Sequence, residues 1–107
     1  MYAVIFRSVR TDAHHELYSE WVNKTDSAVE TIPGYLSQES FRDPVTRAGV
    51  SLEYFETLDS IEEWRKHPLH MEAQRLGHEL FYESFHVEVC EVDRAYRWMK
   101  SSGYQKT

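Results

Sequence analysis

The segment "WRKHPLHMEAQRLGHELFYESF", residues 64 to 85, carries three histidines and a glutamine. An imidazole exchanges protons near neutral pH and also ligates metals, so the stretch offers two chemistries. On a helix, His70, Gln74 and His78 stand one turn apart on a single side. Metal ligation is the weaker fit, because no HExxH pair is present and glutamine is a poor ligand for zinc or iron. No metal site is expected. Acid–base chemistry is the other reading of the stretch. Gly77 shares the stripe. A glycine inside a helix costs about 1 kcal/mol relative to alanine, so it reads as space kept open beside His70 and Gln74. The alternative is the solvated shoulder of a packed helix, with Gly77 a tolerated weakness. His14 and His15 read as exposed first-turn residues, His67 as a helix-start residue before Pro68, and His86 as facing away from Phe85 and Val87.

The elements that would position these groups follow from periodicity. Residues 2–10, "YAVIFRSVR", are β-branched and aromatic and read as a strand apolar on both faces. From Thr11, Leu17, Trp21, Ala28 and Ile32 recur at helical spacing until Pro33 and Gly34 break the helix. "YLSQESFRD" and "VSLEYFET" form a hairpin across "DPVTRAG". Asp59, three residues before Glu62, reads as a capping box opening a short helix. Pro68 ends that helix and starts another reaching about Tyr82, with Leu69, Ala73, Leu76 and Leu80 toward the sheet. "FHVEVCEVDRAY" is the last strand, residues 97–107 read as a C-terminal tail behind a single domain over 2–96, and "SSGYQKT" within that tail reads as frayed. The order predicts an α+β, ferredoxin-like split β-α-β sandwich. Its helices cover one sheet face, so a second copy is expected on the other, as a homodimer.

Composition narrows the function. At 107 residues, 41% hydrophobic and 28% charged, the chain suits one small globular domain. Mean hydropathy is -0.63 and no apolar run is long enough to span a bilayer, so no membrane partner is expected. "MYAVIFRSVR" reads as a strand rather than a signal segment, since Arg7 and Arg10 interrupt it and no small-residue cleavage site follows. A net charge of -6 with scattered basic residues argues against nucleic acid. Cys90 stands alone, without a disulfide partner or thiolate cage, which favours the cytoplasm and a small buried hydrophobe.

"IPGYLSQESFRD" and "EYFETLDSIEEWRKHPLHMEAQRLGHELFYESFHVEVCEVDRAY" resemble the antibiotic biosynthesis monooxygenase family, particularly its small stand-alone bacterial members. The resemblance runs from about Tyr2 to Tyr96. It is carried by Pro33-Gly34-Tyr35, Glu39-Ser40 with Arg42-Asp43, Trp64, His70 with Ala73-Gln74 and Gly77, Tyr82, and Arg94 with Tyr96. It implies a dimeric α/β barrel with a cavity between sheet and helices.

Two branches of that family differ in chemistry. The haem-degrading branch uses an asparagine on the first strand, a tryptophan and an axial histidine. Trp64 matches the tryptophan, but the histidine's place falls on Gln74 and the asparagine's near Phe6 or Arg7, which disfavours haem. The quinone-forming branch needs no metal or flavin, and lets a bound phenol, once deprotonated, react with dioxygen. Resemblance to it implies no cofactor, a small aromatic partner, walls from Trp21, Tyr54, Trp64 and Phe81 around the space at Gly77, His70 as base, and Gln74 or Tyr82 as donors. The alternative is a non-catalytic ligand-binding or structural dimer, since one fold hosts many functions.

Overall fold

The computed structural model describes residues 1–107. Its elements run β1 (Tyr2–Arg10), α1 (His15–Val29), β2 (Tyr35–Arg42), β3 (Ala48–Phe55), α2 (Leu58–Arg65), α3 (Pro68–Leu76), a π-helical stretch (Gly77–Phe81), β4 (Tyr82–Glu91), β5 (Tyr96–Met99) and β6 (Gly103–Lys106). The first four strands form one antiparallel sheet in the order β2-β3-β1-β4, the ferredoxin-like α+β arrangement that element order predicts. No helix is long and apolar enough to cross a membrane.

Local chemistry sets the joints. Thr57, not Asp59, caps α2: its hydroxyl accepts from the Ser60 amide at 3.1 Å, so the expected capping box is replaced by a cap two residues earlier. His67 caps α3 through its ring nitrogen, which accepts from the Leu69 amide at 3.2 Å, and Pro68 follows in the first turn. Gly34 turns the chain from α1 into β2 at φ 90°, where a Cβ would sit 2.1 Å from Ser60 Oγ. That hydroxyl donates to the Pro33 carbonyl at 2.7 Å. Gly34→Ala should therefore destabilise the fold by about 1–3 kcal/mol, read as a lower urea midpoint; an unchanged midpoint would show that the turn can relax.

Val29, Ile32, Phe55 and Trp64 form the sealed core, with Val4, Ala28, Tyr35 and Ile61 packed against it at one end of the sheet. The rest of the helix-facing surface is a grid fixed by register. Gln38, Glu53, Val4 and Val89 make one row across the strands, Ser40, Ser51, Phe6 and Val87 the next, and Arg42, Gly49, Ser8 and Phe85 the third. The β2–β3 half is largely polar, and the β1–β4 half is apolar except for Ser8. Ala3, Ile5, Leu52 and Tyr54 alternate onto the opposite face, which carries no helix. Cys90 pairs with Ala3 on that face and is half-buried in the single chain.

Two segments depart from expectation. The last long helix becomes a π-helical stretch at Gly77 and passes directly into β4 at Tyr82, three residues before the strand predicted from Phe85. "SSGYQKT" is not frayed: β5 and β6 pair as a hairpin, with Tyr96 opposite Lys106 and Trp98 opposite Tyr104. The hairpin exposes Tyr96, Trp98 and Tyr104 by 68%, 58% and 75%. It contributes to a radius of gyration of 15.3 Å, against about 13 Å for a compact chain of this size.

Candidate active site

Sheet floor and helical roof enclose a cavity of about 710 Å³, within the range of small-molecule sites. Tyr18, Val22, Thr25 and Asp26 of α1, Trp64 of α2, and His70, Gln74 and Gly77 of α3 and the π-helical stretch form its roof. Tyr82 lines the same space from the start of β4.

His70 is fixed in one protonation pattern. Its ring stacks on Trp64, centroids 4.3 Å apart and 7° from parallel. Its Nδ1 lies 3.1 Å from the Trp64 carbonyl, which can only accept, and 3.4 Å from Gln74 Nε2, which can only donate; the shorter contact assigns the hydrogen to Nδ1 and the lone pair to Nε2. Burial lowers the imidazole pKa below its ordinary 6.5, outweighing the carbonyl bond that raises it. His70 is thus neutral at pH 7 with a basic nitrogen. Beside it, Trp64 Nε1 is a donor without a partner, sealed from the cavity as well as from solvent. Gln74 is less free than a donor role requires: its amide nitrogen donates to the Arg65 carbonyl at 3.2 Å, tying α3 to α2.

The opposite end is cationic and phenolic. A Cβ on Gly77 would stand 3.2 Å from the Tyr82 ring, so the space this glycine keeps is filled by that ring rather than left empty. Burial, then the neighbouring Tyr18, hold the Tyr82 phenol protonated far above the usual tyrosine range. Arg10 lies with its guanidinium 3.8 Å over the Tyr18 ring, and Arg42 donates to the Tyr18 hydroxyl at 3.3 Å.

Glu53 is the titratable group that sequence reading passed over. It faces the cavity from the middle of β3, where burial first and Asp26 second push its carboxyl up to about 7. Asp26 itself accepts from Gln38 Nε2 at 2.7 Å. A strand pattern would have located Glu53, because it alternates with core Phe55 and so must point inward.

Of the eight site residues expected from sequence, Trp64, His70, Gln74, Gly77 and Tyr82 meet at this cavity. Trp21, Tyr54 and Phe81 are not among its walls. Trp21 stands at the edge of the α1 stripe with the Lys24 ammonium 4.5 Å over its ring. Tyr54 pairs with Ala3 on the helix-free face. Phe81 is sealed, 3% exposed, against the edge of Tyr18. His70 and His78 belong to no cluster of three residues able to hold a metal.

The sequence profile of the antibiotic biosynthesis monooxygenase family matches residues 1–76. The chain belongs to this family. The uncharacterised protein YqjZ of Bacillus subtilis strain 168 is 38% identical over 93 residues, 87% of this chain and 80% of that protein. Rv0793 from Mycobacterium tuberculosis superposes with a TM-score of 0.75 at 18% identity, covering 88% of this chain and 97% of that one. SnoaB from Streptomyces nogalater, described as a cofactor-independent oxygenase, superposes with a TM-score of 0.73 at 9% identity, covering 88% and 94%. At these identities the two structures share the fold alone.

Proposed function

We propose that the protein is a cofactor-independent monooxygenase that oxidises a small phenolic or quinol-like aromatic in this cavity. The observation that carries the reading is His70, held neutral against Trp64 with its lone pair on Nε2. Family membership and the oxygenase fold of SnoaB support it. His70 Nε2 takes the acidic proton of the phenol or its keto tautomer, leaving an electron-rich anion. The Trp64 ring, stacked on the imidazole, holds His70 in place for this transfer. The ring carbon opposite that oxygen gives its electron pair to dioxygen, forming one C–O bond and a peroxide. The peroxide takes a proton, for which neutral Glu53 is the nearby source. Loss of the remaining ring proton and cleavage of the O–O bond release water and leave the quinone. One substrate and one dioxygen become one quinone and one water.

Anthrone tests the reading, because its ionised form needs only a base. The purified, chelator-dialysed protein should consume one dioxygen per anthraquinone formed, well above the buffer rate. A rate equal to buffer would contradict oxygenase function.

The active unit in this proposal is a cytoplasmic homodimer. The helix-free face bearing Ile5, Leu52 and Tyr54 and the projecting aromatic hairpin both favour a second copy as cover. Light scattering at micromolar concentration should give twice the 12.7 kDa chain mass, and truncation after Val92 should weaken the association. A monodisperse monomer would remove the dimer from the account.

A further inference from the structure

Two arginines at the Tyr82 end of the cavity have no anionic partner. Arg7, Arg47, Arg65, Arg75 and Arg94 each meet a carboxylate, all at the surface or partly exposed. Arg10 is only 5% exposed, yet its Nε and Nη2 donate to the Phe81 and Ala13 carbonyls at 3.0 and 2.8 Å. Arg42 donates through Nη1 to the Ser8 and Arg47 carbonyls at 3.2 and 2.9 Å, and through Nη2 to the Ser8 and Tyr18 hydroxyls at 2.9 and 3.3 Å. Every acceptor is neutral. Nη1 of Arg10 and Nε of Arg42 have no acceptor, and neither is sealed, since Trp64 Nε1 is the sole sealed and unpaired side-chain atom. Both residues line the cavity. Enclosed charges are ordinarily paired, because desolvation without a counter-ion is costly. The pair sits in a chain of net charge -6, so a general excess of cations does not account for it.

Resting on the cavity being a ligand site, we propose that the Arg10–Arg42 end binds a carboxylate carried by the aromatic substrate, whose class is therefore a fused-ring phenolic acid. The dimensions require the fused rings. Seven helical residues separate His70 from Gly77, about 10 Å at 1.5 Å per residue, and Gly77 touches Tyr82, which is paired with Arg10. A single six-membered ring cannot bridge that distance. Between the poles, Phe6, Val87 and Phe85 give an apolar bed for the rings. The opposite pole fixes the direction of binding. Asp26, bonded to Gln38, lies about 13 Å from the Arg42 row, at four strand residues of about 3.3 Å each, and repels a carboxylate bound in reverse.

The test compares 5-hydroxy-2-naphthoate with 5-hydroxy-2-naphthamide, the same rings without the charge, by anaerobic calorimetry at pH 7.5. The acid should bind the wild-type protein about 10- to 100-fold more tightly, as hydrogen bonds to charged groups allow, and the preference should shrink as salt rises. Arg42→Gln should abolish the preference, and Arg42→Lys should keep part of it. Equal binding of the two probes to the wild type, or no binding of the acid at millimolar concentration, would overturn the proposal even if Arg42→Gln fails to fold. Anthrone carries no acid, so its turnover is judged separately. A carboxylate preference without anthrone oxidation would keep this site and remove the oxygenase reading, and oxidation without the preference would do the reverse.

Discussion

Replacing His70 with alanine should lower kcat/KM for anthrone by about 10²–10⁴-fold, the usual contribution of a positioned general base. Alanine also removes a ring stacked 4.3 Å from Trp64, so lost activity could reflect lost packing. His70→Phe separates the two effects. It keeps a flat ring against the indole but has no lone pair, and should be as inactive as His70→Ala while unfolding at a higher temperature. Retained activity in His70→Phe would remove His70 from the base role. The pH profile discriminates further. Because burial lowers the His70 pKa, its basic form persists below pH 6.5, and the acid limb of kcat/KM should fall there. An acid limb near pH 7 would instead assign the base to Glu53, whose carboxyl titrates at about 7.

Glu53→Gln should stabilise the protein at alkaline pH and do little in acid. Below pH 4.5 the carboxyl is protonated in both folded and unfolded chains. Between pH 4.5 and about 7 the unfolded chain ionises while the folded one keeps the proton, so wild-type stability falls as pH rises. Above that window the loss levels off at about 3 kcal/mol, which glutamine, never charged, avoids. Denaturant titrations at pH 4 and pH 8 should show a stability gain from Glu53→Gln only at pH 8. Equal effects at both pH values would mean that Glu53 ionises normally in the folded state. A buried acid that weakens the fold at neutral pH is consistent with a group kept for proton transfer.

The sequence carried the architecture because its punctuation is local. Pro33 with Gly34, and Pro68 after His67, mark boundaries through dihedral restrictions that act on adjacent residues. The helix stripe of His70, Gln74 and Gly77 was equally legible, since one-turn spacing puts those residues side by side whatever they pack against. What escaped needs strand parity or register. Tyr54 was placed at the cavity although its neighbours Glu53 and Phe55 both point inward, so alternation sends it outward. Phe81 was lost to the π-helical stretch, which changes helical phase before β4 and delivers Tyr82 to the cavity in its stead. Arg10 and Arg42 are 32 positions apart, and only the pairing of β1 with β3 and β3 with β2 brings them to one end. The terminal hairpin left a faint signal in Tyr96, Trp98 and Tyr104 around Gly103, which turns at φ 76°.

Isotope labelling tests the monooxygenase claim most directly. Anthrone is turned over under ¹⁸O-labelled dioxygen by metal-free protein and quenched before carbonyl exchange with water. The account predicts one labelled oxygen in the anthraquinone, with the second label in water, and formation reduced to the buffer rate in His70→Phe. Enzymatic anthraquinone without the label would show that dioxygen serves only as an electron acceptor, and would contradict direct attack of the aromatic anion on dioxygen in this cavity.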